Sequence, residues 1–307
     1  MNKEQFVSKI FKSLLSCNME IFNKLCLDNK GTILYDRPLY KYTAIDKYSI
    51  DNLLKGLLWL NKPRNFNDPF DCWVHKERIK LQFEDKATIK MMHDFSRLLG
   101  IHEIDFTASN WIQTLEEMLP EQERNKFIKQ KEDIKHRKFN GYNNAIGEKM
   151  YITCLSEYSP TGAIMWSHYG DYHKGMCLEY DFSKCVDDCY SMLMPVIYLE
   201  HPPIININSN NVSEDDDLHC FLFLTILCKS IEWKYEKEWR MIKSLEKFSD
   251  NDCPNTAPYL KHIYLGACVE EFGNDYNKII KIANVNGIAV SKMQRSDKDY
   301  SFQPIPI

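Results

Sequence analysis

The sequence predicts an α+β protein. Strand-like and helical patterns alternate without the regular βαβ rhythm of a doubly wound sheet. The strand-like runs are short, rich in aromatic and β-branched residues, and bounded by turn signals. Between about residues 75 and 149, charged residues dominate, glycine is scarce and apolar residues recur at three and four, which predicts a helical insertion. The expected organisation is an N-terminal helical segment over 1–30 and one α+β domain over 31–307 that carries this insertion.

The elements follow in order. Residues 3–27 place Phe6, Ile10, Phe11, Leu14, Ile21, Phe22 and Leu25 at mostly helical spacing, a helix or helix pair that Asn29-Lys30-Gly31 ends. Its apolar stripe packs on a core or offers a partner surface. Leu39-Tyr40-Lys41-Tyr42-Thr43 reads as a strand, residues 49–55 as a short helix closed by Gly56, and 57–60 as a second strand. The insertion is interrupted near Gly100 and Pro120. Residues 151–155 are a strand, and Ser159-Pro160 is expected to cap a helix through Met165-Trp166-Ser167-His168-Tyr169, stopped by Gly170. Strands are expected at 176–180 and at 193–199, where Pro195 points to a sheet edge. Residues 208–217 read as an acidic loop and 218–231 as a buried helix. Strands at 263–269 and 288–293, with a helix between them, complete the chain.

Composition bounds the function. With 44% hydrophobic and 27% charged residues, the 307-residue chain has the make-up of a folded globular protein. A net charge of −4 gives no global footprint for nucleic acid or an anionic membrane. The longest mostly apolar run, 218–228, is short of the about 20 residues a spanning helix needs. Eleven cysteines occur without a C-x-x-C pair, and the N-terminus shows no charged n-region followed by an apolar run. Reduced thiols packed as small hydrophobes in a cytoplasmic protein are the expectation.

The most informative segment runs from Lys229 to Ile242. Glu236 and Glu238 stand two apart where a helical pattern gives way to a strand-like one. In an extended chain both carboxylates face one side with Arg240, while Trp239 and Met241 face the other. Close like charges push one carboxyl toward its neutral form, the arrangement of an acid/base pair. A solvated, salt-bridged strand end is the plainer alternative. Phe66-Asn67-Asp68-Pro69-Phe70-Asp71 reads as an Asx turn that drops both phenylalanines into the core, or as a loop that points Asn67 or Asp68 into a cleft. His168, His173, Cys177, Cys185 and Cys189 match no familiar zinc spacing, so no metal is expected. Neither a P-loop, nor G-x-S-x-G, nor G-x-G-x-x-G occurs.

Leu39-Tyr40-Lys41-Tyr42, Phe66 to Asp71, Cys154-Leu155-Ser156, Met165 to Tyr169, Lys174 to Tyr180 and Trp233 to Arg240 follow one another in an order that resembles an uncharacterised bacterial family. More remotely, the order of elements resembles ADP-ribosyltransferases of the R-S-E type. That resemblance implies split, mainly antiparallel sheets with peripheral helices. It implies a basic residue on the first core strand, matched by Lys41 in place of Arg or His; a strand ending in serine, matched by Ser156; and E-x-E opening a late strand, matched by Glu236 and Glu238. It also implies cleavage of the nicotinamide–ribose bond of NAD, with ADP-ribose passed to a protein or nucleic-acid acceptor or to water, as in a toxin or phage-defence effector. Glu238 would stabilise the oxocarbenium-like centre, Ser156 would orient Glu238, and Glu236 would activate the acceptor. Lys41 would meet the diphosphate, with Tyr42, Trp166, Tyr169 and Asn67 completing the NAD site.

Two other classes compete. Asp68, Asp71, Glu179, Asp181, Glu236 and Glu238 would suit a metal-dependent nuclease or phosphoesterase. A non-catalytic sensor would use the N-terminal helix and the insertion as partner surfaces.

Overall fold

The computed structural model describes residues 1–34, 37–73, 75–82, 120–182, 193–208, 214–244 and 254–307. Helix α1 (Lys3–Leu15) starts at Asn2, whose side chain and Gln5 cap each other's backbone, and it buries Phe6, Ile10 and Leu14. Helix α2 (Met19–Leu34) folds back beside it. Strand β1 (Leu39–Thr43) precedes α3 (Lys47–Lys55), which Gly56 closes in the left-handed region at φ 62°, where a Cβ would be strained. Strands β2 (Leu57–Trp59) and β3 (Ile79–Gln82) follow.

The insertion is mixed. Its start holds β3 in place of the expected helix, held by parallel pairing with a later strand. Its end is the long helix α4 (Glu121–Lys149). Residues 83–119, including the break at Gly100, lie outside the described residues. After β4 (Met150–Ser156), helix α5 (Ala163–Tyr169) begins at Gly162 and not at Ser159. The Gly162 N–H first returns to the Ser159 carbonyl and closes a turn, so the helix starts three residues late.

Strands β5 (Met176–Asp181), β6 (Leu193–Pro195), β7 (Ile197–Leu199) and β8 (Ile205–Asn208) lead to helix α6 (Glu214–Leu227). This helix takes in residues 214–217, which were expected to be loop. Strand β9 (Cys228–Ser230), a 3-10 turn (Ile231–Glu236) and β10 (Glu238–Ser244) come next. Strands β11 (Pro254–Thr256) and β12 (Tyr259–Leu265), helix α7 (Asn274–Asn286), and strands β13 (Ala289–Arg295) and β14 (Phe302–Pro306) finish the chain.

Eight strands form the main sheet in the order β14-β13-β12-β5-β1-β4-β10-β6, antiparallel except for the parallel β12–β13 pair. Three two-stranded ribbons, β2–β11, β3–β8 and β7–β9, lie apart from it. The architecture is α+β, and β6 sits at the edge of the main sheet, where its proline leaves no ladder bond missing.

The sheet is nearly cut at one place. Strands β4 and β10 share seven registered pairs and β1 and β5 share five, but β1 and β4 meet only at Tyr40 opposite Ser156. Split sheets were expected; the structure has instead one continuous eight-stranded sheet, in which β1 and β4 are joined through a single registered pair. Side-chain alternation along β10 then divides the core: Trp239 and Met241 pack with Leu155, Ile263 and helices α3 and α7, while Ile242 packs with Ile152, α1 and α6.

Candidate active site

The site grows from the gap between β1 and β4. A cavity of about 900 Å³ opens there, within the usual size of a small-ligand pocket. Its wall includes Lys41, Tyr42, Ser156, Tyr169, Glu236 and Glu238. Glu236 does not belong to a strand. It ends the 3-10 turn, and Lys237 takes left-handed angles (φ 48°, ψ 47°) before β10 begins at Glu238. The two carboxylates thus converge through a left-handed kink, where plain extended alternation was expected.

Lys229, on β9, joins them. Its Nζ lies 2.7 Å from Glu236 Oε2 and 2.9 Å from Glu238 Oε2. Asp71 Oδ2 lies 3.6 Å from the same ammonium. Arg240, two residues along β10 from Glu238, donates from Nε to Glu238 Oε1 at 2.7 Å and from a terminal nitrogen to Asp71 Oδ2 at 2.7 Å. The guanidinium is fully buried, and it also donates to the Ile226 carbonyl and to Cys72 Sγ. Tyr169 Oη donates to Glu236 Oε1 at 2.6 Å, and Tyr198 Oη accepts from the Glu238 N–H at 2.8 Å.

Three buried carboxylates (Asp71, Glu236, Glu238) therefore face two cations (Lys229, Arg240). With all five groups ionised the cluster keeps one excess negative charge, 3 − 2 = 1.

The two glutamates divide. For Glu238, burial works against the charged form, but Arg240 and Lys229 outweigh it and hold the pKa at about 2. For Glu236, burial dominates and raises the pKa against the opposing pull of Lys229 and Tyr169. The charge of Glu238 adds least to that rise, so desolvation and not like-charge repulsion separates the pair. Lys229 is itself held above the usual lysine range: burial opposes its charge, and Glu238, Asp71 and Glu236 overcome it.

Other residues singled out in the sequence fall into place differently. Ser156 Oγ donates to the Glu236 carbonyl and accepts from the Tyr158 N–H at 2.8 Å, so it fixes the turn into β10 and does not touch the Glu238 carboxylate. Lys41 Nζ spans the gap and donates to the Cys154 carbonyl at 3.0 Å; among the described residues no carboxylate pairs with it. Tyr42 is mostly buried, with its hydroxyl on the Tyr158 carbonyl at 3.1 Å. Asn67 lines the cavity within hydrogen-bonding reach of the Tyr169 hydroxyl.

Trp166 is excluded from the cavity wall. It is fully buried, edge-on to Tyr42 at 5.3 Å, with Nε1 donating to the Pro160 carbonyl at 2.7 Å. A core position on the inner face of a seven-residue helix explains this.

The Phe66–Asp71 turn forms as expected, with the Phe70 N–H donating to Asp68 Oδ1 at 2.9 Å. Only half of its burial follows. Phe66 packs under the Arg240 guanidinium, but Phe70 is 68% exposed and stacks on His75. The turn spends its inward position on the Asp71 carboxylate, which Arg240 claims, and so Phe70 is turned outward.

Of the carboxylates in the metal reading, Glu179 and Asp181 lie outside this cavity; Glu179 pairs with Lys261 at 2.9 Å and Tyr264 at 2.6 Å. Among the described residues no group of three or more His, Cys, Asp or Glu side chains is placed to hold a metal ion; Cys185 and Cys189 lie outside them. Lys229 was not anticipated as a site residue. Its signal was present: a lysine seven residues before Glu236, after an apolar helix that would carry it into the interior.

No curated protein and no solved structure matches the chain. Residues 165–241, which carry Tyr169, Lys229, Glu236, Glu238 and Arg240 but neither Lys41 nor Ser156, are similar to a family described as a protein of unknown function (DUF2971).

Proposed function

We propose that this cavity binds NAD and cleaves its nicotinamide–ribose bond, in the manner of an ADP-ribosyltransferase or NAD glycohydrolase. The observation that carries this reading is the buried cluster of three carboxylates and two cations in the wall of a cavity that Lys41 also lines. When the glycosidic bond breaks, its electron pair leaves with nicotinamide and positive charge develops at the ribose C1′. Glu238, held in its charged form near neutral pH by Arg240 and Lys229, offsets that charge. Glu236, made more basic by burial, takes the proton of the water or acceptor group that adds at C1′. Tyr169 and Lys229 hold its carboxylate in place. Lys41 meets the diphosphate as a point charge.

The adjacency of β1, β4 and β10 supports the same reading, since the basic-residue, serine and E-x-E strands of the resemblance are sheet neighbours here. The metal-dependent alternative fits less well. The ammonium of Lys229 already occupies the point between Asp71, Glu236 and Glu238 where a divalent cation would sit. Incubating the purified protein with NAD, with and without chelator, and following free nicotinamide tests the proposal. Release that chelator leaves unchanged is expected. Release abolished by chelator favours the metal-dependent reading.

A further inference from the structure

A second cleft, of about 500 Å³, opens on the other side of Lys229 and shares that residue with the main cavity. Phe70, Trp73 and Trp233 supply its aromatic wall. Phe70 is 68% exposed and Trp73 50% exposed, and a soluble surface seldom leaves two large rings open beside each other without a use for them. Phe70 is backed by His75, whose ring stacks on it at 6.2 Å, and Trp73 is braced edge-on by Phe139 at 6.2 Å. The rings are therefore held in position.

The charges in the wall are unbalanced. Asp68, Glu200 and Glu232 line the cleft, and among the described residues none of them pairs with a cation. Against them stand Arg78 and Lys229, and the ammonium of Lys229 is committed to the carboxylates of the main cavity. His75 and His201 also face the cleft; burial, and then the charge of Arg78, holds the pKa of His75 below its ordinary value, so it adds little positive charge near neutral pH. Among the described residues, three carboxylates against one uncommitted cation leave the wall negative.

Aromatic faces together with unpaired carboxylates recognise organic cations: the ring quadrupole attracts the charge, and the carboxylates supply its hydrogen bonds. Lys229 already illustrates the chemistry, its ammonium lying 4.8 Å from the Trp233 ring. We infer that this outer cleft is a binding site for a small organic cation, an alkylammonium or guanidinium compound, separate from the main cavity. A cleft of this volume suits a small molecule better than a folded partner. The assignment does not depend on what the main cavity binds.

Calorimetric titration of the full chain with putrescine and agmatine tests the inference, with 1,4-butanediol as the uncharged counterpart of putrescine. Saturable binding of both cations and none of the diol is expected. Trp73→Ala and Glu232→Gln alter exposed or half-exposed side chains and leave the core intact, so each is expected to keep the wild-type melting temperature. Each is expected to weaken cation binding about 3- to 30-fold. Lys41→Ala, in the main cavity, is expected to leave it unchanged. Equal responses to putrescine and butanediol would overturn the assignment. So would cation binding that survives both Trp73→Ala and Glu232→Gln, or that is lost only in Lys41→Ala.

Discussion

Asp71 shows how far a residue's environment can depart from its sequence context. In a polar turn motif it reads as an exposed acid whose amide replacement costs little. In the fold its carboxylate is buried against Arg240 and Lys229. Asp71→Asn replaces its charge-assisted contacts to Arg240 and Lys229 with weaker neutral ones, so it is expected to cost about 1.5–3 kcal/mol in urea denaturation. The phenylalanines beside it separate in the same experiment. Phe66→Ala is expected to cost about 2 kcal/mol, and Phe70→Ala no more than about 0.5 kcal/mol. Equal losses for the two would contradict the outward turn of Phe70.

The glutamates have opposite pH signatures. Glu238, with its pKa depressed to about 2, contributes stability that is complete above about pH 4.5 and is lost as pH falls toward 2. Glu236, with its pKa raised, contributes stability that is complete below about pH 4.5 and is lost as pH rises through the raised value. Glu236→Gln removes the second dependence only. Its stability relative to the wild type is therefore expected to climb as pH rises above about 4.5, and a difference that stays flat across that range would show that Glu236 is not desolvated. That the two carboxylates share one cavity was legible in the sequence, but the cause was not: extended alternation was expected, and left-handed Lys237 brings them together. The dominance of burial was not legible, since the Asp71 turn that packs against the cluster is distant in the chain.

At the scale of elements, local patterns located most of the described strands and helices, including β1, α3 with its Gly56 stop, β4, β5 and α7. The signals that failed were those that long-range pairing overrides. Strand β3 stands in a charged, helix-like region because β8 pairs with it, and β9 ends what reads as one helix because β7 pairs with it. The join of β1 to β4 through one registered pair could not be read from either strand alone. Ser156 sits at that join and holds the turn into β10. Ser156→Ala leaves the Glu236 carbonyl and the Tyr158 N–H without their partner, with an expected cost of about 1–3 kcal/mol and a measurable displacement of Glu236 in a crystal structure of the variant. Helix α1 is an integral part of the core, not a loose appendage: Ile10 is 1% exposed, and Ile10→Ala is expected to cost about 2–5 kcal/mol by the same denaturation measurement.

Over the whole molecule, the half-cut main sheet and the neighbouring β7–β9 ribbon position the charged residues of the cavity. β1 brings Lys41 to one lip of the cavity; β4 and β10 bring Ser156 and Glu238 to the other; and β9 delivers the lysine that binds the carboxylates together. The claim that joins these parts is that Glu238 acts by its charge on a cationic centre formed from NAD. Nicotinamide release by the wild type and by Glu238→Gln, each first shown to be folded by its near-ultraviolet circular dichroism, measures it directly. The expected result is chelator-insensitive release by the wild type and a loss of about 10²-fold or more in the variant, the scale of removing one preorganised electrostatic group. A wild-type protein that neither binds nor consumes NAD, or a folded variant that releases nicotinamide as fast as the wild type, would contradict it.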